Sequence, residues 1–162
     1  MIKKILIICF GNTARSPAGE YLTRYYVKKY NLDLSVQSAG FINAFADMQP
    51  LSKNYLRNKG IDPSGFSPKT INHTLLEEHE LIITMKKTHK RDILQEYDDV
   101  PDLQEKMFTL KEFVGDSQDL DIIDPYYESN SKFQEILEII DDYIEKMVKK
   151  IRNLNENLEH KP

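Results

Sequence analysis

The residues best equipped for chemistry open the chain: Cys9-Phe10-Gly11-Asn12-Thr13-Ala14-Arg15-Ser16-Pro17. A thiol is followed, after five residues, by a guanidinium and at once by a hydroxyl. A loop of that length can curl so that successive amide N–H groups face inward and form an anion-binding concavity. A helix opening at Pro17 adds the positive end of its dipole and its unpaired amides. Helix N-termini and nearby cations favour cysteine thiolates, which makes Cys9 a candidate nucleophile. Arg15 can clamp two phosphate oxygens with its planar fork, which a lysine could not do. Gly11 permits a turn that a side chain would block, and Asn12 tolerates a left-handed conformation. Ser16 can hydrogen-bond the sulfur and help it leave. Singly, each residue reads as core filler or a solvated charge; in this order they suit phosphoryl transfer through a phosphocysteine. A nucleotide-binding phosphate loop would end in Gly-Lys-Ser/Thr, which Arg15-Ser16 does not supply.

A thiolate displaces a poor leaving group efficiently only if that group is protonated as it departs. Asp124-Pro125-Tyr126-Tyr127 offers the acid. Pro125 holds Asp124 extended. Tyr126 and Tyr127 could wall the carboxyl group off from water and stack on a substrate ring. The four histidines (His73, His79, His89, His160) show no metal-ligand spacing and read as surface or helix-end residues. The chemistry calls for no metal and no cofactor.

Bulk properties frame this site. The chain has 162 residues, 40% hydrophobic and 30% charged, which suits one soluble domain over residues 1–162 with a real core. A net charge of −4 gives no basic footprint for nucleic acid or an anionic membrane, so an anionic substrate must be drawn by a local site. A lone cysteine excludes an internal disulfide framework and a thiolate metal site. The apolar run ending at Ile8 is too short for a signal peptide or a membrane span, and a cytoplasmic location follows as the default. Nothing in the composition speaks to oligomeric state.

The elements that must hold the site can be read from periodicity. Ile5 to Ile8 reads as a strand buried on both faces, and Pro17 opens a helix running to about Tyr30. Leu34 to Ala39 and Leu81 to Met85 read as strands two and three, and Lys106 to Leu110 as a weaker fourth. Helices are expected over Leu51 to Asn58 with Gly60 as the stop, Leu75 to His79, and Lys86 to Tyr97. Gly115 to Asn130 reads as an acidic loop. Apolar residues from Phe133 to Leu154 recur at helical spacing, predicting a long C-terminal helix with one buried stripe. The alternation predicts an α/β fold, a four-stranded parallel sheet with helices on both faces. Ligands in such sheets bind at the carboxyl ends of the strands, where Cys9 falls.

With those residues in view, the chain resembles the low-molecular-weight protein tyrosine phosphatase family over nearly its whole length. Cys9 to Pro17, Ser38-Ala39-Gly40, Ile82 to Met85 with His89, and Asp124-Pro125-Tyr126-Tyr127 carry the resemblance. It implies Cys9 as nucleophile, Arg15 as phosphate clamp and Asp124 as general acid, with Asn12, Ser16 and Ser38 shaping the loop through hydrogen bonds. It also implies a phosphorylated protein as partner. Many members carry a second cysteine where this chain has Ala14, so local disulfide rescue of an oxidised Cys9 is missing. Where the family often has a His and an Arg, this chain has Phe66 and Lys69, which puts support of the loop from that side in question.

Substrate choice divides the family. Thr13, Ser67-Pro68 and Phe108 to Phe113 resemble a bacterial protein-arginine phosphatase branch, whereas Tyr126-Tyr127 resembles the phosphotyrosine enzymes. The reading favours phosphotyrosine, with phosphoarginine as the alternative. A related arsenate-reducing line relays electrons through further cysteines, which this chain lacks. A non-catalytic phosphate-binding module would be expected to have lost Cys9, Arg15 or Asp124, and all three are present.

Overall fold

The computed structural model describes residues 1–161. The apolar run through Ile5 to Ile8 forms the middle of β1, Lys4–Cys9, which reaches one residue further than periodicity suggested and takes in Cys9 itself. After it come α1 (Arg15–Lys29), β2 (Ser35–Gly40), α2 (Pro50–Asn58) and α3 (His73–Glu78). The second half comprises β3 (Leu81–Thr84), α4 (Lys87–Glu96), α5 (Leu103–Lys106), β4 (Met107–Thr109), α6 (Leu110–Val114) and α7 (Asn130–Glu159). The strands form one four-stranded sheet in the order β2-β1-β3-β4, with every pairing parallel. The expected α/β architecture is therefore what this chain adopts.

Alternation along β1 assigns the two faces. Ile5, Ile7 and Cys9 join α1, α6 and the buried stripe of α7 in one apolar cluster. Leu6 and Ile8 join Leu75 and Leu76 of α3, Ile93 of α4 and Leu103 of α5 in the other. From β1 the chain goes to β2 on one side, then crosses back to β3 on the other. The connections leaving β1 and β3 consequently diverge at their carboxyl ends, and such a divergence opens a crevice for ligands.

Several local expectations needed correction. Helix α1 begins at Arg15, two residues before Pro17, so Arg15 and Ser16 sit on its first turn. Two short helices were unforeseen, α5 and α6. The second of these starts inside the stretch read as strand four, because Thr109 and Glu112 form a reciprocal capping box that ends β4 and turns the backbone. Residues 115–129 hold neither helix nor strand, as expected. The buried stripe of α7 stops at Ile151, and Leu154 is exposed. His79 caps the end of α3 and His89 lies in the first turn of α4, the helix-end places expected, but both are buried. His79 gives its ring to the Leu75 carbonyl, 2.6 Å away. No helix among the described residues is long and apolar enough to cross a membrane.

Candidate active site

Cys9 ends the central strand, and the chain must then turn into α1 within five residues. The turn is made by Asn12, whose φ of 50° is left-handed, and its side chain is wholly buried. The loop is crowded from behind. A Cβ on Gly40 would stand 2.7 Å from the Asn12 amide nitrogen, so the end of β2 must be glycine for the loop to lie against it. The space a side chain on Gly11 would need is taken by Ala44, whose Cβ would be 2.9 Å away.

The carbonyls of the loop are drawn outward. Phe10 accepts from the amides of Phe41 and Ile42, Thr13 accepts from the amide of Gln49 at 2.8 Å, and Ala14 accepts from the Ser52 hydroxyl at 3.2 Å. A trans peptide points its N–H opposite to its carbonyl, so the amides of Gly11, Ala14 and Arg15 face the other way, toward the loop's interior. Ala14 caps α1 without a side-chain hydrogen bond, and no acidic residue stands in the first turn. The first-turn amides and the dipole therefore meet no carboxylate from the helix's own first turn.

Behind the loop, polar side chains form a continuous series. Cys9 Sγ lies 2.9 Å from Ser16 Oγ. Asn12 Nδ2 donates to Ser16 Oγ and to Ser38 Oγ, both at 2.9 Å, and Ser38 Oγ donates to Glu20 at 2.7 Å. The side called into question by Phe66 and Lys69 is held by other means. The Lys69 amide donates to Asn12 Oδ1 at 3.0 Å, its ammonium donates to Gln37, and Phe66 packs edge-on against Tyr21.

Arg15 is 2% exposed. Its Nη1 donates to the carbonyl of Ile122 at 2.8 Å, and Nη2 stands 3.4 Å from Asp124 Oδ2. The amide of Ile122 donates to Met85 at the end of β3, 2.8 Å away. One residue thus anchors loop 115–129 to the sheet and to the arginine, and so brings Asp124 to a cysteine far away in sequence. His89 packs its ring against Phe41 at 5.3 Å. Burial, with Arg15 and Lys86 nearby, holds its pKa down at about 4, and its Nδ1 has no partner among the described residues.

Cys9, Phe10, Gly11, Thr13, Ala14, Arg15, Asp124, Tyr126 and Tyr127 line one cavity of about 310 Å³. Asn12, Ser16 and Ser38 lie buried behind it. The tyrosines do not enclose the acid: the Asp124 side chain is 43% exposed and Tyr127 is 92% exposed. Tyr126 instead packs on Phe45 at 5.5 Å and gives its amide to Asp124 at 3.1 Å. Sequence reading missed Ile42, Ala44, Phe45 and Gln49, which complete the cavity from a stretch without periodicity. It also missed Glu20, whose only visible signal is a position on α1 one turn from Arg24. Among the described residues no three His, Cys, Asp or Glu side chains stand close enough to hold a metal ion.

A parallel sheet in this order, with a thiol and an arginine on one strand-to-helix loop, defines a class of α/β phosphatases. Residues 4–158 match the family model "Low molecular weight phosphotyrosine protein phosphatase", and the chain belongs to that family. It is 31% identical over 156 residues to a "Probable low molecular weight protein-tyrosine-phosphatase EpsP" of Ralstonia nicotianae, covering 95% of this chain and 99% of that one. It is 28% identical over 149 residues to a "Protein-arginine-phosphatase" of Bacillus subtilis, covering 91% and 96%. The solved structure of a low molecular weight protein tyrosine phosphatase from T. tengcongensis superposes with a TM-score of 0.82 at 30% identity, covering 91% and 99%. The chain is a phosphatase of this family, as the resemblance implied.

Proposed function

We propose that this phosphatase hydrolyses phosphotyrosine in proteins through a phosphocysteine on Cys9. The observation that carries the reading is one cavity holding Cys9, Arg15 and Asp124 beneath a rim of Phe10, Phe45, Tyr126 and Tyr127. The rim offers the flat ring of a phosphotyrosine aromatic faces, with the thiol and the guanidinium in the same cavity for its phosphate. Cys9 Sγ attacks phosphorus as the thiolate while the bond to the tyrosine oxygen breaks. Asp124 gives that oxygen its proton. Asp124, now a carboxylate, takes a proton from water as the water attacks the phosphocysteine, and the sulfur leaves as thiolate with Ser16 donating to it. Arg15 and the inward amides hold the equatorial oxygens, on which charge accumulates in both steps. The residues act as a cytoplasmic enzyme on a protein substrate would need, with no metal or cofactor in any step.

One observation favours a second substrate. Thr13, buried against the loop, lines the same cavity and puts a hydroxyl where a guanidinium could meet it. Phosphoarginine is thus the alternative. The test is steady-state release of phosphate from a phosphotyrosine peptide and a phosphoarginine protein side by side, with wild type and Cys9→Ser. Faster Cys9-dependent release from the peptide is expected. Faster release from the arginine substrate would transfer the assignment to it, and turnover that survives Cys9→Ser would overturn the phosphocysteine.

A further inference from the structure

The catalytic cavity does not end at its rim. Ala44 and Phe45, which wall it on one side, also line a second hollow together with Ser67 and Pro68. Ser67 and Pro68 in turn border a third, which reaches Tyr21 and Arg24 of α1. Those two border a fourth, whose other walls include Tyr25, Lys28 and Lys29. Each hollow shares two residues with the next, so the four form one trough from Cys9 along the flank of α1.

Charge changes along this trough. The second hollow is lined by no charged residue. The last is lined by three cations and no carboxylate, in a chain whose net charge is −4. Asp62 lies outside that lining and accepts from the Ser64 amide at 2.9 Å. Arg24 is exposed yet fixed in place, by Glu20 at 2.6 Å and by the Tyr21 ring, over which its guanidinium lies at 4.9 Å. Glu20 itself is buried, with its two oxygens on Arg24 and Ser38. Lys29 has Glu145 at 3.8 Å, whereas Lys28 is exposed and makes no ion pair among the described residues. A cation already held in position loses little freedom on meeting an anion.

We propose that the trough docks the phosphorylated protein as an extended strand, with acidic side chains of that substrate at the end formed by Arg24, Lys28 and Lys29. This rests on the reading of the Cys9 cavity given above. Helix geometry sets the spacing. Arg15 opens α1 in the catalytic cavity, and Arg24 and Lys28 stand about 13 and 20 Å further along the axis. An extended chain covers that span in about four to six residues.

The experiment compares kcat/KM for phosphotyrosine peptides of one composition that differ only in where a Glu-Glu pair stands. The pair is placed beside the phosphotyrosine or about five residues from it, on either side. One distant placement is expected to exceed the adjacent ones by about fivefold, through KM, the scale of two exposed ion pairs. Raising the salt to about 0.5 M should erase this gain, and a gain that survives would count against the proposal. In Lys28→Glu/Lys29→Glu the gain should vanish and the same peptide with Lys-Lys should become the better substrate, a reversal that damage to the fold cannot produce. Should that variant fail to fold, as judged by circular dichroism, Lys28→Glu alone decides by the same reversal. Equal Cys9-dependent release from every placement overturns the docking proposal alone. No Cys9-dependent release from any peptide overturns the reading of the Cys9 cavity, and the docking with it. A dimer that the double variant dissociates, with no placement preferred, gives the trough to a second copy of the chain and likewise overturns the proposal.

Discussion

The two halves of the site follow different building plans. From Cys9 to Ser16 the proposed nucleophile, its hydrogen-bond donor and the proposed phosphate clamp occupy one strand end, one loop and one helix turn, all buried. Their polar atoms are tied to β2, to α2 and to the stretch before α3. Asp124 stands on a loop without regular structure, exposed, and tied to the sheet and to Arg15 through Ile122. Binding and attack are thus preorganised by the core, where dipoles need no rearrangement. The proposed proton donor to the leaving group stands instead on an exposed loop without regular structure, which can fit leaving groups of differing shape.

The contrast can be broken from either side. The largest effect is expected for Arg15→Lys, which keeps the charge and removes the planar fork: kcat/KM for phosphate release should fall by about 10³-fold. A loss below tenfold would show that the buried half tolerates a point charge. Next comes Asp124→Ala, expected to slow cleavage of a phenyl phosphate ester by about 10²-fold while barely slowing nitrophenyl phosphate, whose leaving group needs little protonation. Equal losses on both substrates would take Asp124 out of the acid's role. Thr13→Val keeps the shape and deletes the hydroxyl, so it should lower phosphoarginine release several-fold relative to phosphotyrosine release, by about 1 kcal/mol of differential binding. An unchanged ratio would free Thr13 from any part in selection.

A separate effect, on stability rather than on rate, concerns what lies under the buried half. The folded protein holds the His89 pKa at about 4, below the ordinary imidazole value of 6.5, so the imidazole is neutral in the fold at neutral pH. Between those values the unfolded chain binds more protons, and stability is lost as the pH falls through this window. The loss amounts to about 3 kcal/mol at most. Urea midpoints at pH 4 and pH 7 should converge in His89→Gln relative to wild type. A wild-type slope retained in the variant would assign the acid sensitivity to other groups.

Much of this was legible in the residues, for reasons that differ by region. The Cys9 loop could be read because its chemistry is contiguous, and the sheet because Ile5 to Ile8 and Leu81 to Met85 are apolar runs that only a doubly covered strand explains. Asp124 was found from the chemistry, which required an acid, and then from Pro125 beside it. Phe45 and Ile42 were out of reach, since a loop between β2 and α2 carries no period and its place is set by carbonyls at Phe10 and Thr13. Glu20 looked like a solvated helix residue, because one sequence cannot tell an i,i+4 pair on the surface from one whose acid is turned inward. The burial of His79 and His89 is likewise a tertiary fact. The start of α6 was visible as Thr109…Glu112, but the apolar run from Met107 to Leu110 masked it.

The floor beneath Cys9 joins the two ends of the described chain. Ile136, Ile140, Ile144, Met147, Val148 and Ile151 of α7 share one apolar cluster with Ile5, Ile7 and Cys9 of β1. Asn155 closes the arrangement by pairing with both the amide and the carbonyl of Ile2. During synthesis β1 leaves the ribosome before α7, the helix packed against its apolar face. A nascent chain that has exposed Cys9 but not yet α7 lacks that helix's share of the core under the loop. The order of translation thereby delays assembly of the pocket around Cys9 until α7 has been made.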